Sequence, residues 1–171
     1  MTSAELLADS FGRVRDALHE VLEDIEPDWL TQRPDAEANS IAWLVWHLTR
    51  VQDDHVAHVA GTEQLWTGAG WRERFGLPFA AEDIGYGQSS DEVGAVQVRD
   101  ATLLGDYYDA VCEATLRYVG GLHDSELDRV VDDRWDPPVT LGVRLVSVVT
   151  DGLQHVGQAA YVRGLCQRAA G

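Results

Sequence analysis

Cysteine is scarce: Cys112 and Cys166 are the only two in 171 residues, far apart and outside any C-x-x-C spacing. That excludes a disulfide scaffold and a zinc ribbon, and it fits a reducing compartment. Long apolar runs are missing too, so no membrane-spanning helix is predicted. The start, Met1-Thr2-Ser3-Ala4-Glu5, lacks the basic and apolar regions of a signal peptide, and a cytoplasmic location is expected. Positive charge is sparse. Thirteen basic residues, every one an arginine, face 29 acidic ones for a formal charge of -16. With no basic stripe to relieve it, such a surface repels phosphate backbones and argues against nucleic acid as a partner. G-x-S-x-G, P-loop and G-x-G-x-x-G motifs are also absent.

What the chain does have is helix-forming pattern. Its length fits one domain over residues 1–171. Such a domain buries about two-thirds of its unfolded surface and needs no metal merely to fold. From Ser3 to about Ile25, Leu7, Phe11, Val14, Leu18, Val21 and Ile25 recur three and four apart, one face of an amphipathic helix that Pro27 is expected to stop. A second helix opens at Asn39-Ser40 and runs to Ala60, where Gly61 closes it. A third spans about Asp100 to Val119, and a fourth about Thr140 to Arg168. Four amphipathic helices predict an all-α four-helix bundle. No segment sustains period-2 alternation, so no sheet is predicted. Between the second and third helices lies a long aromatic and Gly-rich insert, Thr62 to about Val98, carrying Trp66, Trp71, Phe75, Phe79 and Tyr86. It is either a lid over a site or a plug whose aromatics close one end of the bundle.

Chemistry concentrates in the fourth helix. Leu141, Leu145, Val148, Gly152, Val156 and Ala159 form its core-facing stripe, and Asp151 and His155 lie one turn apart along the edge of that stripe. A half-buried carboxylate needs a partner. His47, among the core neighbours Trp43, Leu44 and Val51, needs one as well. If the second and fourth helices are neighbours, His47, Asp151 and His155 give two imidazoles and one carboxylate, a ligand set for a divalent metal with positions left open. Zinc heads the candidates, with Ni, Fe and Mn behind it. The plainer readings are a hydrogen-bonded core histidine and a local Asp–His ion pair. Asp54 and His58, also four apart, are a rival pair or part of a substrate pocket; His19, His55 and His123 are expected at the surface. Arg144, two turns before Asp151, could pair with that carboxylate, hold an anionic substrate, or form a rim salt bridge. Arg144, Asp54, His58, Trp43, Trp66 and Trp71 are the candidate substrate contacts.

The segment Asn39-Ser-Ile-Ala-Trp-Leu-Val-Trp-His47-Leu-Thr-Arg, with Asp151-x-x-x-His155-x-Gly-Gln158, resembles the DinB-like superfamily, including its DUF664-type members. The resemblance covers nearly the whole chain. It implies a DinB-like four-helix bundle, usually a homodimer, with metal ligands matching His47, Asp151 and His155. Many relatives carry histidine at all three positions, and the carboxylate at Asp151 is closer to mycothiol-dependent maleylpyruvate isomerase. That isomerase draws an arginine from a second domain not found in these 171 residues. Transfer of a low-molecular-weight thiol, mycothiol, to a small electrophile is therefore the activity the resemblance implies. A metal-dependent hydrolase or isomerase and a non-catalytic metal- or ligand-binding stress protein are the alternatives.

Overall fold

A computed structural model describes residues 1–171. Four long helices carry it: α1 (Ser3–Leu22), α3 (Ile41–Ala60), α7 (Ala101–Gly120) and α8 (Leu141–Ala170). Each begins at a residue whose side-chain oxygen accepts a backbone N–H three residues on: Thr2, Ser40, Asp100 and Thr140. Gly61, with φ of 68°, ends α3 in the left-handed conformation its sequence position suggested.

The bundle packs in a ring in which α3 touches α7 and α8, and α1 touches the same two. The pairs α1/α3 and α7/α8 therefore sit on diagonals, and long connections must cross between them. The first connection contains α2 (Pro27–Thr31), so Pro27 opens a short helix where it was expected to stop a long one. Helix α1 ends at Leu22, although Ile25 is still buried beyond it.

The expected absence of sheet is corrected by a small antiparallel hairpin, β1 (Val130–Asp132) with β2 (Val139–Thr140), in the connection from α7 to α8. Strands this short carry too few residues for alternation to register in sequence. The insert is no structureless loop either. It holds α4 (Leu65–Gly68), α5 (Trp71–Phe75) and α6 (Ser90–Gly94).

Every residue of α3 from Ile41 to Asp53 is buried. Its polar side chains must therefore find partners inside the protein. Gln52 donates to the Thr115 hydroxyl at 2.9 Å and accepts from Tyr108. Arg50, fully buried, donates to Gln64 Oε1 and to the carbonyls of Ala81 and Asp83, and lies over the Trp66 ring at 4.9 Å. Asp53 accepts the backbone N–H groups of Leu65 and Trp66 and the Tyr107 hydroxyl, all within 2.9 Å. Its carboxyl is pushed up by burial and drawn back by those three donors. Arg50 and Asp53 thus fasten the insert to the bundle, and neither takes up the second ring nitrogen of His47, one turn earlier on the same helix.

Candidate metal centre

His47 comes to the α8 side of α3, where Asp151 and His155 leave the edge of the apolar stripe on α8. That stripe is buried as the periodicity required: Leu141, Leu145, Val148, Gly152, Val156 and Ala159. The three side chains each offer one ligand atom, and these atoms lie within 4.8 Å of one another. His155 Nε2 is 3.6 Å from Asp151 Oδ1, near the roughly 3.4 Å between two ligands bonded at about 2.0–2.1 Å to a tetrahedral zinc.

Neighbouring groups set both imidazoles. His47 Nδ1 donates to the Ile84 carbonyl, leaving Nε2 with its lone pair. Gln158 Oε1, 2.9 Å from His155 Nδ1, does the same for His155. A hydrogen bond behind each ligand is the usual support of a metal-bound histidine. Burial pushes His47 down, aided by the like charge of His155 and opposed by the Ile84 carbonyl and Asp151. His155 is also pushed down by burial, but Asp151 and Gln158 outweigh this and its pKa is raised. Asp151 Oδ2 is buried with no hydrogen-bond partner. Such an orphaned carboxylate oxygen is costly unless something else satisfies it. The donor set therefore fits a divalent cation.

The insert makes the wall around His47. Asp83 accepts from Gly85 N–H and Gln88 Nε2, and Gln88 Oε1 accepts from Trp43 Nε1 at 2.7 Å. Gly85 sits at φ +97°, and a Cβ there would meet His47 Nδ1 at 2.6 Å. Only glycine lets the loop come close enough for Ile84 to reach the imidazole. Trp43 stacks on His47 at 4.6 Å, and Tyr86 stands edge-on to it at 5.2 Å.

The expected substrate contacts scatter. Trp43 backs the ligands from the protein side. Trp66 and Trp71 are buried against Tyr107 in the main core and line neither part of the cleft beside Asp151. Arg144 pairs with Asp132 of the hairpin at 3.1 Å, not with Asp151. Asp54 accepts from Gln64 and His58 is exposed; neither joins a three-ligand cluster. His55, expected at the surface, is half-buried between Asp54 and Arg144. Ile84, Gly85 and Gln158 were not assigned roles from sequence, and Tyr86 only as one aromatic of the insert. Of these only Gln158, one turn beyond His155, carried a readable signal. Cys112 and Cys166 are buried and their thiols pushed up by burial, Cys112 to about 11, so neither supplies a thiolate.

A mycothiol-S-transferase family model matches residues 6–167. The chain belongs to the mycothiol-S-transferase family. Its DinB-like fold is shared with the crystal structure of a conserved protein from Enterococcus faecalis, 31% identical, covering 95% of this chain and 96% of that one with a TM-score of 0.89. No curated protein matches. A thiol substrate goes with the family, and no helix is long and apolar enough to cross a membrane.

Proposed function

We propose that this family member is a divalent-metal-dependent transferase that joins mycothiol to a small electrophile, with His47, Asp151 and His155 holding the metal. The observation that carries the reading is the convergence of two imidazoles, each held through Nδ1 so that Nε2 turns toward the cluster, on a carboxylate whose Oδ1 lies 3.6 Å from His155 Nε2 and whose Oδ2 is buried with no partner. A divalent cation bound there would favour the thiolate form of the substrate's sulfur at neutral pH.

The protein's own residues do the rest. Ile84 and Gln158 fix the tautomers, while Trp43 holds the His47 ring plane and Tyr86 screens it from water. With a haloarene, the new bond joins sulfur to the ring carbon, the carbon–halogen bond breaks, and halide and the thiol proton leave to solvent. No protein cysteine takes part.

A homodimer is part of the same proposal. Val143, Val146, Leu153 and Tyr161 are exposed along one outward stripe of α8, away from the ligand edge, and would supply an interface.

The test incubates zinc-loaded protein with mycothiol and 1-chloro-2,4-dinitrobenzene and follows the conjugate. Turnover should need both metal and thiol. Conjugation no faster than in the metal-free control would refute the transferase, and turnover of an ester that follows metal but not thiol would make the protein a hydrolase.

A further inference from the structure

Beside Asp151 runs a cleft whose chemistry the sulfur step does not use. An inner part of about 390 Å³ reaches Asp151 and Gln154. An outer part of about 520 Å³ continues under the β1–β2 hairpin to Trp135. His55, Tyr86 and Arg144 line both parts.

The lining is a string of polar groups, each held by the next. Asp54 Oδ2 lies 3.4 Å from His55 Nδ1, and His55 Nε2 lies 3.5 Å from Arg144 Nη1. Arg144 Nη2 reaches Asp132 Oδ2 at 3.1 Å, and Arg134 holds that carboxylate from the other side at 2.9 Å. Carboxylates and guanidinium groups fixed in this way can take the paired hydrogen bonds that adjacent hydroxyls offer. Two large aromatic rings stand open at the mouth, Tyr86 at 60% and Trp135 at 64% exposure. Single exposed aromatics are ordinary, but here two flank one polar groove. An apolar electrophile would find few apolar neighbours in it. A polyol, with hydroxyls on its rim and C–H groups on its faces, matches both kinds of wall.

Mycothiol carries its cysteine on a glucosamine joined to inositol. We propose that this groove binds the glucosaminyl-inositol portion, with Trp135 stacking on a sugar face and Arg144 and Asp54 bonding its hydroxyls. The sulfur end is thereby delivered toward the triad. Trp135 and Arg144 become the residues that select mycothiol over thiols lacking the sugar. The proposal rests on the transferase reading for its choice of ligand, but its test needs neither metal nor turnover.

Glucosaminyl-inositol lacking the cysteine is titrated calorimetrically into metal-free protein. Binding is expected, weakened at least about tenfold by Trp135→Ala, the loss of a contact worth roughly 1.4 kcal/mol, and largely restored by Trp135→Phe. Because Trp135 is exposed, its removal leaves the fold intact. Arg144→Ala, which also frees the hairpin, is expected to weaken binding by a similar factor. No heat of binding at millimolar fragment, or equal affinity for the wild type and Trp135→Ala, overturns the proposal. Fragment binding without any thiol conjugation by the zinc-loaded protein would overturn the transferase and leave the groove standing.

Discussion

Gly85→Ala tests how the insert holds His47. Position 85 lies at φ +97°, where an L-residue costs roughly 1–3 kcal/mol. The new methyl would fall 2.6 Å from His47 Nδ1 and 3.2 Å from carbons of Trp43 and Trp46, an overpacking that costs about 1–3 kcal/mol. Relief by moving the loop gives up the bond from His47 Nδ1 to the Ile84 carbonyl, about 0.5–1.5 kcal/mol. These terms partly substitute for one another, so a net loss of about 3 kcal/mol is expected. For a chain of this size that lowers Tm by roughly 6–12 °C. With the imidazole released, metal affinity should fall by about 10–100-fold. Gly87→Ala is the control: φ is +73° there but nothing lies within 4 Å of the added methyl. It should show the backbone penalty alone and keep its metal affinity. Thermal scans and competition with a chromophoric chelator read both quantities. A Gly85→Ala protein with Tm and zinc affinity matching those of Gly87→Ala would show that the loop does not hold the imidazole.

Asp53→Ala would strip the acceptor from Leu65 N–H, Trp66 N–H and the Tyr107 hydroxyl and leave Arg50 less compensated. A loss of about 3–5 kcal/mol is expected, read by chemical denaturation; a loss under about 1 kcal/mol would show that the network does not hold the insert. Asp132 gives a pH signature. Hydrogen bonds from Arg134, with the charges of Arg134 and Arg144, hold its carboxyl well below the usual carboxylate range. A depressed folded value means stability that is complete above the unfolded pKa of about 3.9 and fades as pH falls below it. The Tm gap between wild type and Asp132→Asn should therefore be constant from pH 7 to pH 5 and narrow below pH 4. A gap that widens with acid would contradict this.

The bundle and the convergence of His47, Asp151 and His155 were legible because both rest on helical periodicity. The apolar stripe of α8 fixed which edge Asp151 and His155 occupy, and His47 stood out as a polar residue on a core face. Periodicity is silent on irregular backbone, and the misplaced readings lie there. Pro27 reads as a stop or as a first helical residue depending on whether a new turn follows. The hairpin is too short to alternate, so Asp132, the partner of Arg144, stayed hidden. Trp66 and Trp71 looked like substrate contacts because sequence does not reveal which way an insert folds. The Arg50–Asp53 network turns them inward. Ile84 acts through its backbone carbonyl, to which its side-chain type gives no clue.

A single cation shared by His47, Asp151 and His155 is what the proposed chemistry requires above all. The most direct measurement is the metal content, by elemental analysis, of wild-type protein and Asp151→Ala after dialysis against zinc without chelators. The wild type should hold about one zinc per chain, and Asp151→Ala should lose it with its helical circular dichroism unchanged. A wild type without stoichiometric zinc, nickel, iron or manganese, or an Asp151→Ala protein as fully loaded as the wild type, would contradict it.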